Sequence, residues 1–247
     1  FVTLAFLPDS QSLYSVDSEN FACQWDLSTW KKMRQFQGPQ GTSMRLSFSP
    51  DCKTVVWSGS NLLSAWDVPS GRETHRLTGQ PESSELITFS PDGRRVLSGK
   101  LKFVDGDFPL HEWDVKTGAI LRRLSGHTSH LTCLAYSPAG RYAISGSSDK
   151  SAILWDLSGD TAKAVRSIPL EDDVSAVTFT PDGKTVLTVA RNYKPIQFWD
   201  VETGKKVREI DTSSSVRSMT FTANGRYLIV GNKDCSVYIL RLTKRTE

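Results

Sequence analysis

His127, Ser145 and Asp149 are the three residue types of an acyl-transfer catalyst, a serine activated by a histidine that a carboxylate orients. The chain around the serine reads "AISGSSD", without the Gly-x-Ser-x-Gly frame that would push its hydroxyl into a site. The same residue types recur elsewhere at positions that read as structural, so the catalytic assignment is set aside. Trp155 follows Ser145 by ten positions, and a buried indole carries one N–H that needs an acceptor. Ser145 is the candidate acceptor, with Asp149 and His127 nearby in the chain.

Metal chemistry is tested in the same way. Asp105 and Asp107 in "VDGDFP" are spaced like calcium-loop ligands, but no glutamate follows where a bidentate ligand would be needed. His75, His111, His127 and His130 show no His-x-x-x-His spacing, and Cys23, Cys52, Cys133 and Cys235 form no close pair. No catalytic residue, metal site or cofactor is expected, and the chain is not read as an enzyme.

The elements that must position these residues repeat. Trp-Asp recurs at Trp25, Trp66, Trp113, Trp155 and Trp199, at intervals of 41, 47, 42 and 44 residues. A second marker runs in step: "FLPDS", "FSPDC", "FSPDG", "YSPAG", "FTPDG" and "FTANG". The sixth copy has Leu240 and Arg241 where Trp-Asp would stand. Each copy reads as four short strands, a to d: an alternating run, a Pro-Asp-Gly turn, a second run, a third ending in Trp-Asp, a Thr-Gly turn and a fourth. Such a sheet has two apolar faces and needs neighbours to cover both.

Paired markers at this period resemble the WD-repeat family of β-propellers over essentially the whole chain. The resemblance implies an all-β propeller of four-stranded antiparallel blades, six in this chain, with units near 1–38, 39–79, 80–126, 127–169, 170–212 and 213–247 forming a single domain. It further implies a hydrogen-bonded tetrad of His127, Ser145, Asp149 and Trp155 that ties the loop before strand a to strands b and c. Other blades keep parts of that set: Ser15 and Glu19, Ser58, Ser98, Thr188, and Asp234. Phe1 opens directly into a strand-a pattern and the last unit ends after its third strand. The expectation is a fragment whose upstream region supplies the closing strand, in a parent of seven blades. Trp57 is expected to pack between blades.

Thirty basic and 27 acidic residues leave a net charge of +3, which points to no nucleic acid or anionic membrane. No run of about 18 apolar residues is present. Scattered cysteines suit reduced thiols and a cytoplasmic setting.

Recognition is therefore expected at loops. The interval from the Pro position to the Trp is 17, 16, 22, 17, 18 and 17 residues along the six copies, so the third blade carries the insertion. It contains Lys100, Lys102, Phe103, Val104 and Phe108, which either face solvent as a contact loop or, for the phenylalanines, fold back over the blade edge, the latter being the leading expectation. In the family, the b–c and d–a loops share one rim. His130, Ser148 and Lys150 of the fourth blade and Arg191, Tyr193 and Lys194 of the fifth extend that rim into a mildly basic patch suited to a protein or an acidic peptide. The leading reading is a non-catalytic interaction scaffold. The alternative is a regulatory or sensing module of a larger enzyme or signalling protein, such as a kinase or a nucleotide-dependent switch.

Overall fold

The computed structural model describes residues 3–8, 10–39, 45–59, 62–77, 84–100, 108–192, 194–222 and 224–242. Among them every regular element is a strand, and no helix is long and apolar enough to cross a membrane. The chain divides into two compact units, one of Phe1–Lys100 with Leu110–Arg123, the other of Leu101–Pro109 with Leu124–Glu247.

The first unit holds three sheets in chain order. They are β1 (Thr3–Phe6), β2 (Ser12–Val16), β3 (Phe21–Asp26) and β4 (Lys32–Gln37); β5 (Arg45–Phe48), β6 (Thr54–Gly59), β7 (Leu62–Asp67) and β8 (Arg72–Leu77); then β9 (Ser84–Phe89), β10 (Arg95–Lys100), β11 (Leu110–Asp114) and β12 (Ile120–Leu124). The second unit holds β13 (Leu131–Tyr136), β14 (Tyr142–Ser147), β15 (Ser151–Asp156) and β16 (Lys163–Pro169); β17 (Val174–Phe179), β18 (Thr185–Ala190), β19 (Ile196–Asp200) and β20 (Lys206–Ile210); then β21 (Val216–Phe221), β22 (Tyr227–Asn232) and β23 (Val237–Arg241). Each sheet is an antiparallel meander of the propeller-blade form, one per repeat. The sixth has three strands among the described residues, so β23 is its edge, and Val237 and Ile239 on that strand are 63% and 67% exposed.

The repeated markers are turn chemistry. After β5, Ser49 Oγ donates to Asp51 Oδ1 at 2.7 Å and accepts the Thr54 N–H at 2.9 Å. Ser90 with Asp92 and Thr180 with Asp182 repeat the arrangement, which is why a hydroxyl residue precedes Pro-Asp in the second, third and fifth copies. The aspartate of Trp-Asp makes the next turn. Asp200 Oδ1 accepts the Thr203 N–H and hydroxyl, both at 2.7 Å, and Asp114 and Asp26 hold Thr117 and Thr29 alike. Hydrogen bonds from Ser28 and Thr29 pull the Asp26 carboxyl down to about 2. The residue closing this turn has a positive φ, +71° at Gly204, where glycine carries no steric penalty. In the first blade Trp30 occupies that position at φ 55° with its side chain 69% exposed.

Adjacent blades within each unit cover one another's apolar faces. Tyr14, Val16 and Ala22 meet Val55, Trp57 and Val68, and Trp57 is fully buried between the first and second sheets. Leu63 and Ala65 pack on Phe89, Val96 and Trp113. In the second unit, Ile144 and Leu154 pack on Val174, Val177 and Phe179, while Leu187 and Phe198 pack on Val216, Leu228 and Val230. Burial of apolar area on this scale contributes roughly 1.5–3 kcal/mol per large side chain. Arginines of the outer strands add a stitch. Arg34 of β4 donates to the Pro69 carbonyl in the next blade, and Arg166 of β16 does the same to Glu202 at 2.8 Å.

Candidate functional site

In the fourth blade, His127 from the loop before β13, Ser145 from β14, Asp149 from the β14–β15 turn and Trp155 from β15 form one chain of hydrogen bonds. Trp155 Nε1–H donates to Ser145 Oγ at 2.9 Å. Ser145 Oγ lies 2.8 Å from His127 Nε2, and His127 Nδ1 lies 2.8 Å from Asp149 Oδ2. One proton arrangement satisfies all three contacts: the serine hydroxyl donates to Nε2, and Nδ1–H donates to the carboxylate. Asp149 is saturated further by the Thr128 N–H on Oδ2 and by the Ser151 N–H and hydroxyl on Oδ1.

The electrostatics suit a neutral imidazole. Burial lowers the His127 pKa, and the hydrogen bond and charge of Asp149 only partly oppose it. Burial tends to raise the Asp149 carboxyl, but hydrogen bonds from Ser151, Thr128 and His127 outweigh it and hold the group below its ordinary value. Ser145 is 0% exposed and His127 is 2% exposed. The serine oxygen already spends a lone pair on the indole and its proton on the imidazole. The set is closed to a carbonyl substrate and acts as a cross-tie between the loop and two strands.

The partial sets resolve differently. Trp25 donates to Ser15 at 2.8 Å and Trp199 to Thr188 at 2.9 Å, while Trp113 uses Ser98 at 2.9 Å. In the second blade the indole of Trp66 turns to Ser64, two residues before it on β7, and not to Ser58. Glu19 is exposed and Asp234 bonds Ser236.

The rim residues are only partly brought together. Lys102, Phe103, Val104 and Tyr193, with Asp105 and Asp107, lie outside the described residues, as does the side chain of Lys100. Phe108 is 4% exposed, which places it as the fold-back reading has it and not in solvent. Its ring meets the imidazole of His130 edge-on, with centroids 5.0 Å apart, so the apolar area is covered. His130 and Lys150 are exposed, and the Ser148 N–H donates to the His130 carbonyl at 2.8 Å.

The basic character expected from Arg191 and Lys194 is largely offset. Arg191 pairs with Asp173 at 3.3 Å and Lys194 with Glu171. Both carboxylates come from the "EDD" run between β16 and β17, which the sequence reading did not weigh against the cations of the neighbouring loop. A second omission lies in the third blade. Glu112 of β11, 0% exposed, sits 3.4 Å from Arg95 of β10 and 2.6 Å from Arg122 of β12. The 2.6 Å contact is charge pairing, because the Arg122 N–H does not align as a hydrogen bond. A charged residue immediately before Trp113, where Leu154 and Phe198 stand in other blades, was the available signal. No group of three or more His, Cys, Asp or Glu side chains is placed to hold a metal among the described residues.

The family model described as "WD domain, G-beta repeat" matches residues 118–156 and 204–240. Each match begins at the turn before an outer strand and runs through the first three strands of the next sheet. Among curated proteins nothing matches the chain.

Proposed function

This chain carries WD repeats folded as β-propeller blades, and from that premise we propose that it is a non-catalytic platform whose b–c and d–a loops bind a protein or peptide. The observation that carries the reading is the closure of the fourth-blade tetrad. The most catalyst-like residues of the chain are spent on one another and buried, while the loops beside them present exposed His130, Lys150 and Arg191 on strands held by apolar stacking. Loops anchored in this way lose little conformational entropy when a partner docks.

The test is panning of a random-peptide display library against the immobilised protein, followed by affinity measurement on a His130→Ala, Lys150→Ala, Lys194→Ala variant. These residues lie at the loop surface, and because the His130 ring also covers Phe108, an unchanged melting temperature of the variant is required before affinities are compared. Enriched peptides should bind the variant at least about tenfold more weakly. No enrichment, or equal affinity for the variant, refutes the platform at these loops.

A further inference from the structure

We infer that a concavity between the fifth and sixth blades, on the same loop side, is an oxyanion pocket that receives a carboxylate or phosphate group carried by the bound peptide. The inference rests on the proposed use of these loops and names the chemistry of one contact.

The cavity encloses about 300 Å³ and is lined by Asp172, Asp173, Arg191, Asn192, Arg217 and Lys233, among others. That is the low end of ligand pockets, room for one side-chain head group and not for a large metabolite. The two carboxylates in its wall are already committed to the frame. Asp172 Oδ1 accepts the Asp173 N–H at 2.9 Å and its Oδ2 accepts the Asn192 amide. Asp173 Oδ2 faces Arg191 at 3.3 Å, and the Asp173 carbonyl accepts the Arg191 N–H at 2.8 Å. The β22–β23 turn is pinned by the Lys233 N–H on the Ser215 carbonyl, also at 2.8 Å. Buried Val216 is also part of the lining.

The unspent groups are therefore donors. Among the described residues neither Arg217 nor Lys233 makes an ion pair, and both open on the cavity with the remaining N–H groups of Arg191. Three cations face two carboxylates, each of which already holds a partner within the protein. A guanidinium offers two parallel N–H groups to an oxyanion and a lysine supplies a mobile point charge. A cationic or apolar head group would leave these donors unmatched. The locus differs from the patch expected in the sequence, because Arg191 and Lys194 have partners while Arg217 and Lys233 lie one blade further on.

The experiment is amide NMR of the isotope-labelled full chain titrated with inorganic phosphate in one arm and N-acetylglutamate amide in the other. Saturable shifts are expected at Asp173, Asn192, Arg217 and Lys233, and an Arg217→Gln, Lys233→Gln variant should bind at least about tenfold more weakly with an unchanged melting temperature. The arm that saturates at lower concentration identifies the head group. Shifts that are linear in anion or scattered over the surface, or equal affinity for the variant, overturn the pocket. Saturable anion binding without any enriched peptide would overturn the platform alone. Enriched peptides that bind the variant unchanged would overturn the pocket alone.

Discussion

Ser145→Ala should cost more than the equivalent change one blade away, and the difference measures the cross-tie. Ser145 Oγ serves two buried groups, Trp155 Nε1–H at 2.9 Å and His127 Nε2 at 2.8 Å. Thr188, at the corresponding position of β18, accepts from Trp199 alone among the described residues, also at 2.9 Å. Ser→Ala and Thr→Val both remove a hydroxyl without deleting carbon, so no cavity term enters. Leaving a buried polar group unmatched costs about 1–3 kcal/mol. Thr188→Val orphans one partly exposed indole N–H, for about 1 kcal/mol. Ser145→Ala orphans an indole 2% exposed and an imidazole 2% exposed, for about 2–6 kcal/mol. Both positions lie in the second unit, so one urea transition followed by tryptophan fluorescence reports both, with free energies taken from midpoint and slope. In a His127→Leu background the cost of Ser145→Ala should shrink, because one of its two partners is gone. If Ser145→Ala costs no more than Thr188→Val, the four residues are neighbours and not a linked chain.

Two further outcomes follow from buried charge. Because His127 is held below 6.5 in the folded protein, the unfolded chain binds the proton more readily as pH falls past that value, so stability should decline below about pH 6.5. Asp149, held below 3.8, contributes stability that is lost as pH falls further through its folded value. Denaturation midpoints measured from pH 7.5 to 4.5 should therefore drop more steeply in the wild type than in His127→Gln, and parallel profiles would contradict this. Glu112→Ala leaves Arg95 and Arg122 facing an emptied buried site and should cost about 3–5 kcal/mol. A loss under about 1 kcal/mol in the same assay would mean that both arginines reach water unaided.

The amino-acid sequence alone determined the repeat, the strand order within each copy and the turns. Those features depend on groups two to five residues apart: Asp51 with Ser49, Asp200 with Thr203, and glycine or its substitute at positive φ. Short loops of chain fix these contacts whatever lies around them. Contacts between separate loops and strands were decided only by tertiary structure. Trp66 chose Ser64 over Ser58, Phe108 found cover against His130, and Glu112 met arginines from the strands on either side. The "EDD" run paired with Arg191 and Lys194 across a loop boundary, while Arg217 and Lys233 make no ion pair among the described residues. Residue types announce what a side chain can bond, but register and blade stacking set which partner comes within 3 Å. In a fold built by repetition, that choice separates one blade from the next.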